Sequence, residues 1–465
     1  MSAPHQPAPT GPVQTARGAV EGIWRPRWVW ATGGCVALIF LAAMQALAVT
    51  TVMPVVSRDL DGDALYAVAF AGIFATSVIG MVATGAWCDR TGPLAPLTTC
   101  VALFAAGLVV AGLAPTMEVL VAGRLLQGLG TGGQVVALYV VVARAYPPSL
   151  HGRVFAAFSA AWVVPSLVGP FLAGAVTEYV HWRWVFLGVA VLTVAAYAVV
   201  AVKLSGFGLR TEHPASDPVA RRLWCAVAVA AGGVALSLSA QAGEWSWAVV
   251  AASLLVILVA VRPLLPRRTL TAGRGLPSVI LMRGLVAGAL FGGEVYLPHL
   301  LIDGYGFSAV WAGLGLTAAA VAWAAAADVS GRFGDRIGNA RIAVLGVAQL
   351  AVASSAVAAT ALWSLYPVVA IAGWAFAGGG MGLMYPRQGV LALAYSTPQD
   401  QGFNSAALSI FDAVGAATSI AVMGLVFTTL AGTDAGYPAV FALAAVLALL
   451  ALVPGMRLGH ARESR

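Results

Sequence analysis

Two carboxyl groups fall inside apolar runs long enough to cross a lipid bilayer. Glu294 lies 11 residues past Arg283, about 16 Å along a helix and near the middle of such a run. Asp412 lies about nine residues into a later run, with Ser405, Ser409 and Ser419 on the same helical face. Burial in a low dielectric penalises the charged form of a carboxyl, and a proton carrier needs an acid so placed that it can take up and give back a proton. The competing reading is a permanently hydrogen-bonded structural acid, and for Asp412 the three serines could supply those bonds.

A third set of polar groups shares one helical stripe. Arg124, Gln127, Thr131 and Gln134 recur at i, i+3, i+7 and i+10 in an otherwise apolar, glycine-rich segment. At membrane depth such a stripe faces protein or a water-filled space, so it lines a substrate path or joins helices. Trp162, Phe291, Tyr296, Trp323, Trp374 and Phe411 are aromatic residues of the central runs that could line a pocket for an amphipathic molecule. No catalytic constellation accompanies them: the six histidines are scattered and no phosphate-cradling Gly-Lys-Ser/Thr loop exists. The cysteines, Cys35, Cys88, Cys100 and Cys225, have no metal-site or disulfide spacing. The expectation is a protein that is not an enzyme and uses no cofactor or metal, its energy coming from an ion gradient.

The elements that position these groups follow from composition. Of 465 residues, 60% are hydrophobic and 9% charged, whereas charged residues make up about a quarter of a soluble domain. An all-α integral membrane protein is implied, the lipid bilayer its first partner. The net charge of +7 comes from arginines in short loops rather than from a patch with interleaved aromatics, so no nucleic-acid partner is expected. About 14 spans can be drawn: near 28–56, 64–87, 94–115, 117–143, 154–178 and 183–203, then 223–241 and 246–262, then 279–303, 308–329, 341–363, 366–388, 403–431 and 436–455. The organisation expected is a proline-rich disordered tail 1–27, a six-helix bundle 28–204, a polar linker 205–222, an extra two-helix insert 223–262 and a loop 263–278. A second six-helix bundle 279–456 and a tail 457–465 complete it.

A repeat supports that division. Gly85-Ala86-Trp87-Cys88-Asp89-Arg90-Thr91-Gly92 is echoed 246 residues later by Gly331-Arg332-Phe333-Gly334-Asp335-Arg336-Ile337-Gly338, each just after an apolar run. Two six-span halves alone would repeat at about 200 residues, and the excess fits one inserted pair of spans. With the N-terminus inside, the loops outside hold Arg58 and Arg183 as their only basic residues. Nearly all remaining arginines and Lys203 then fall on the cytoplasmic side, as the positive-inside rule requires. Both termini and both repeated loops are expected there.

The two loops resemble the signature between the second and third spans of each half in the major facilitator superfamily of secondary transporters. Arg124-Leu125-Leu126-Gln127-Gly128-Leu129-Gly130 resembles that superfamily's fourth-span motif, and His181-Trp182-Arg183-Trp184-Val185-Phe186 the segment opening the sixth span of drug exporters. Pro165-Ser166-Leu167-Val168-Gly169-Pro170-Phe171-Leu172-Ala173-Gly174 looks like the fifth-span motif of its proton antiporters. With the extra central pair, residues 28–454 are similar to the fourteen-span drug:proton antiporter family. Two positions depart from that pattern: Pro93-Leu94 replaces a basic pair after the first loop, and Gln45 stands where the family has an acidic residue.

The resemblance implies two six-helix bundles rocking about a central site in a bacterial plasma membrane, exporting an amphipathic small molecule in exchange for protons. Glu294 and Asp412 are the expected proton sites. The substrate space would be lined by Gln45, Arg124, Gln127, Thr131, Gln134, Trp162, Phe291 and Tyr296. Asp89 and Asp335, each beside an arginine at a span's end, can accept hydrogen bonds from a neighbouring helix N-terminus and so latch the cytoplasmic side. The gate set is Gly85, Asp89, Arg90, Gly92, Asp328, Gly331, Asp335, Arg336 and Gly338. Pro165, Gly169, Pro170 and Gly174 form the antiporter motif, a place to kink and pack closely. A lipid or glycolipid exporter of the same fold, with a lateral opening lined by the inserted hairpin, and a symporter are the alternatives. No obligate protein partner is evident, and tails of about 27 and 10 residues leave little to signal with.

Overall fold

In lipid every backbone polar group needs an internal partner, so an apolar chain of this length folds as helices. The computed structural model describes residues 23–26, 28–204, 220–396, 401–430 and 433–458, and among them there is no strand. The first six long helices are α1 (Val29–Asp59), α2 (Tyr66–Thr91), α3 (Leu94–Gly112), α4 (Met117–Ala145), α5 (Pro148–Tyr179) and α6 (Arg183–Leu204). A hairpin follows, α7 (Ala220–Ser237) and α8 (Ser246–Val261). The last six are α9 (Leu276–His299), α10 (Ala309–Ile337), α11 (Asn339–Trp363), α12 (Pro367–Ala394), α13 (Gln401–Thr429) and α14 (Gly436–Leu450). Thirteen are long and apolar enough to cross a membrane, and α5 makes a fourteenth once its bend of 40° between Ala160–Ser166 and Val168–Tyr179 is allowed for. Pro165 and Pro170 lie inside α5, where a missing N–H and a ring clash open the helix.

Within the first bundle α1 packs on α5 and α6, α2 on α4, and α3 on α4 and α6; in the second α9 packs on α13 and α14, α10 on α12, and α11 on α12 and α14. Small residues set the spacing. A Cβ on Gly130 of α4 would lie 2.5 Å from the Phe104 backbone nitrogen of α3, and one on Gly346 of α11 would lie 2.6 Å from the Gly380 carbonyl of α12. No other residue fits there without parting the helices. The bundles meet along two seams, α5 on α10 and α2 on α13. Over the second seam lies α7, with Ala230 packed against Ala75 of α2 and Ala417 of α13; α8 packs on α7.

Some boundaries differ from the expected ones. The inserted hairpin begins at Ala220 and the second bundle at Leu276, each a few residues early, because Ala220, Arg221 and Arg222 wind on as a polar first turn and Pro277 suits a helix start. The tail 1–22, the linker 205–219 and the end 459–465 lie outside the described residues.

Candidate functional site

The repeated loops end their helices in the same way. Gly92 closes α2 at φ 88° and Gly338 closes α10 at φ 92°, and each backbone N–H bonds back four residues, to the Cys88 carbonyl at 2.9 Å and the Gly334 carbonyl at 3.0 Å. A left-handed residue is needed at both places, so glycine recurs. An arginine of each bundle's fourth helix braces its loop. Arg144 of α4 donates to the Cys88 carbonyl at 3.3 Å, and Arg387 of α12 donates from Nε and Nη2 to Asn339 Oδ1 at 3.1 and 3.0 Å. Neither arginine stands out in the sequence by its neighbours, although the two are 243 residues apart, close to the loop repeat. Asp328 pairs with Arg332 one turn on, at 2.9 Å and largely in the open. Arg90, Gly331 and Arg336 are exposed. A Cβ on Gly85 would meet only Val136, at 3.9 Å, so no close approach requires glycine there. The side chains of Asp89 and Asp335 lie outside the described residues.

At the opposite end the two bundles are joined. Arg58 at the end of α1 forms an ion pair with Asp303 beyond α9, and Asp303 also meets His299 Nδ1 at 2.8 Å. The same nitrogen is 2.6 Å from the Tyr437 hydroxyl of α14. Tyr66 of α2 donates from its hydroxyl to the Val295 carbonyl at 3.0 Å, its ring packed against Tyr296 and His299. Along the other seam a Cβ on Gly174 of α5 would lie 2.8 Å from the Ala309 carbonyl, and one on Gly313 of α10 would lie 2.5 Å from the Pro170 carbonyl. The motif around Gly169 and Pro170 therefore forms part of the contact between bundles. Tyr296, expected to line an open space, is 1% exposed and belongs to this sealing layer. The Tyr66–Val295 bond, the Arg58–Asp303 pair and the ring contacts of Tyr66 and Phe74 join the bundles in the half of the helices toward Arg58.

Glu294 stands between the Tyr66–Val295 bond and the contact of Phe74 with Phe291, whose ring centroids are 5.5 Å apart. Glu294 is a half-buried residue, and its carboxyl has no hydrogen-bond or ion-pair partner among the described residues. It sits about 27 Å up α9, past the helix centre and at the level where the bundles close.

Asp412 is differently placed, and the serines do not serve it: Ser409 bonds instead to the Ser405 carbonyl at 3.3 Å. Arg283 donates from Nε to Asp412 Oδ1 at 2.7 Å, and the Tyr385 hydroxyl donates to the same oxygen at 2.5 Å. The guanidinium carbon lies 3.1 Å from the Tyr385 ring centroid, a cation–π contact, and Nη1 donates to the Tyr385 carbonyl at 3.1 Å and to Gln388 Oε1 at 3.4 Å. Tyr139 of α4, 44% exposed, lies within electrostatic reach of Arg283 from the other bundle. Arg283 is legible in the sequence as an ionisable residue inside a span, a site signal by itself, although its spacing from Glu294 gives no hint of the partner it finds.

The polar stripe of α4 turns away from the space between the bundles. Arg124, 2% exposed, donates to the Ala69 carbonyl of α2 at 2.9 Å and to Gln127 Oε1 at 2.9 Å. Gln127 donates to the Gly107 carbonyl of α3 at 3.1 Å and Gln134 to the Leu38 carbonyl of α1 at 3.1 Å, while Thr131 bonds its own helix. These groups tie α1, α2 and α3 to α4, which corrects the expectation that they line a substrate path. Gln45 is 1% exposed with neither amide atom paired, and Trp162 is 48% exposed.

Two bundles of membrane-length helices, meeting along two seams with ionisable groups among them, are an arrangement suited to a membrane transporter. The sequence of residues 35–420 matches the family model of the Major Facilitator Superfamily, and the chain belongs to that family. It is 27% identical over 449 residues to a probable multidrug-efflux transporter of Mycobacterium tuberculosis, covering 90% of this chain and 93% of that one. An uncharacterised MFS-type transporter of the same species is 29% identical over 413 residues; the match covers 84% of this chain but 58% of that longer relative. Among solved structures, a bacterial homologue of the human lysosomal transporter Spinster, inward-facing and unoccupied, superposes with a TM-score of 0.66 at 14% identity, covering 93% and 97% of the two chains. A POT family transporter in complex with 5-aminolevulinic acid gives 0.67 at 13% identity, covering 91% and 95%.

Proposed function

We propose that this transporter exports amphipathic small molecules from a bacterial cell in exchange for inward protons. The unpartnered carboxyl of Glu294, at the level where the bundles close, carries this reading. Such an acid is accessible first from one side of the membrane and then from the other as the bundles rock. With the repeated loops in the cytoplasm, as the positive-inside rule favours, the contacts of Arg58, Asp303 and Tyr66 close the outer end of the bundles. Bracing of each repeated loop by Arg144 or Arg387 supports a role for Asp89 and Asp335 as latch groups of the alternate state. The name of the multidrug-efflux relative supports export and drug-like substrates. A lipid exporter would line a lateral opening with the inserted hairpin, and the packing of Ala230 on Ala75 and Ala417 favours a closed seam there instead.

Inside-out vesicles test the reading. An inward-acid proton gradient should drive accumulation of a cationic or acidic dye to several times the level in vesicles lacking the protein, and a protonophore should abolish it. Accumulation that persists at full extent without a proton gradient would refute coupling to protons.

A further inference from the structure

Arg283 has bonding capacity left over. Its Nε and Nη1 are engaged, but Nη2 makes no hydrogen bond among the described residues, and the side chain is 16% exposed. Asp412, 20% exposed, receives both of its donors on Oδ1, leaving Oδ2 unpartnered. Beside them Gln388, 1% exposed, points a buried Nε2 at no acceptor. An unpaired buried amide N–H is destabilising unless something else meets it. Two free donor groups thus stand next to one free acceptor, in a site roofed by the Tyr385 ring. The other intramembrane arginine of the first bundle, Arg124, is committed to Ala69 and Gln127 and offers no charge to the space between the bundles.

A guanidinium edge is a planar fork that matches a carboxylate in two-point contact, and an adjacent amide donor adds a third point. Resting on the transporter reading above, we propose that Arg283 and Gln388 form the recognition site for an acidic group, so that the molecules carried are amphipathic acids. Asp412 is the internal stand-in for that group, holding Arg283 while the site is empty. Substrate carboxylate and Asp412 carboxylate compete for one cation. The aromatic surface of Tyr385, backed by Trp323 at 5.2 Å, takes the apolar body.

Binding tests this without transport. The full chain in nanodiscs of zwitterionic lipid is titrated calorimetrically with naproxen, fusidate and other amphipathic carboxylates, each beside its primary amide. Acids should bind at least tenfold more tightly than their amides. Arg283→Gln should weaken the acids on the order of 10- to 100-fold, the size of a charge-assisted bond, with little effect on the amides. Asp412→Asn should tighten the acids severalfold, an effect that a purely structural ion pair does not produce, since breaking such a pair leaves the arginine misplaced. Size-exclusion profiles and melting curves establish that each variant is folded, and Arg283→Lys should recover part of the affinity. The proposal is overturned if no acid binds, if amides bind as tightly as acids, or if Arg283→Gln leaves acid affinity unchanged. Binding as proposed with no accompanying proton movement would instead defeat the exchange mechanism and leave the acid site standing.

Discussion

Asp303→Asn removes a carboxylate that pairs across the two bundles at their closed end. Arg58 is 54% exposed, so its ion pair contributes no more than about 1 kcal/mol. The bond between Asp303 and His299 Nδ1, at 2.8 Å, lies within the second bundle and is made in either state, so it adds nothing to the difference. The closed state should therefore lose up to about 1 kcal/mol relative to the open one, a population shift of up to roughly 5-fold. Tyr66 and its bond to the Val295 carbonyl survive, so the end should loosen without falling open. Spin labels at Thr116 and Tyr366, both exposed and on loops of different bundles at this end, report the change. In a background with Cys225 replaced, double electron–electron resonance should show a longer-distance population growing in Asp303→Asn and more so with Tyr66→Phe added. Distance distributions identical to wild type in both variants would refute the assignment of this layer as the gate.

Other substitutions separate gating from scaffolding. Gly174→Leu puts a side chain where even a Cβ would lie 2.8 Å from the Ala309 carbonyl, so labels at 116 and 366 should move apart and transport should fall at least tenfold while the protein still purifies as a monodisperse species. Gly130→Val drives a branched side chain into the Phe104 backbone and should cost more than the usual 1 to 3 kcal/mol of an overpacked core, seen as a clear drop in melting temperature or loss of the folded protein. Arg124→Met strands the Ala69 carbonyl and Gln127 Oε1 and should destabilise by about 1 to 3 kcal/mol per orphaned group. Its half-saturating substrate concentration should stay within about twofold of wild type, as a brace predicts and a substrate ligand does not.

Much of the architecture was legible because lipid leaves the chain few options: apolar length gives the spans, and the Gly85 and Gly331 repeat gives the duplication. The equivalence of Gly92 and Gly338 follows from a left-handed turn that only the spacing of the two loops announces. Side-chain direction was not legible in α4. A stripe at i, i+3 and i+7 faces one way, but periodicity cannot say whether that way holds a cavity or another helix, and here Gly107 and Ala69 supply the acceptors. Asp412 and Arg283 are 129 residues apart in sequence, so their pairing depends on how α9 packs on α13, which no local pattern encodes. The outer layer of Arg58, Tyr66, His299 and Asp303 was hidden for the same reason, its members lying in three stretches of the chain that no local pattern brings together.

Proton release from acid-loaded proteoliposomes, followed with a trapped pH dye as amphipathic acids and lipophilic cations are added outside, tests the central claim most directly. Wild type and Glu294→Gln are compared at equal reconstitution. Substrate addition should drive proton exit in wild type, and Glu294→Gln should abolish it while keeping its affinity for the same compound and exchanging labelled for unlabelled substrate. Proton exit at the wild-type rate in Glu294→Gln would contradict the account, leaving the carboxyl at the closing point of the two bundles without a part in coupling.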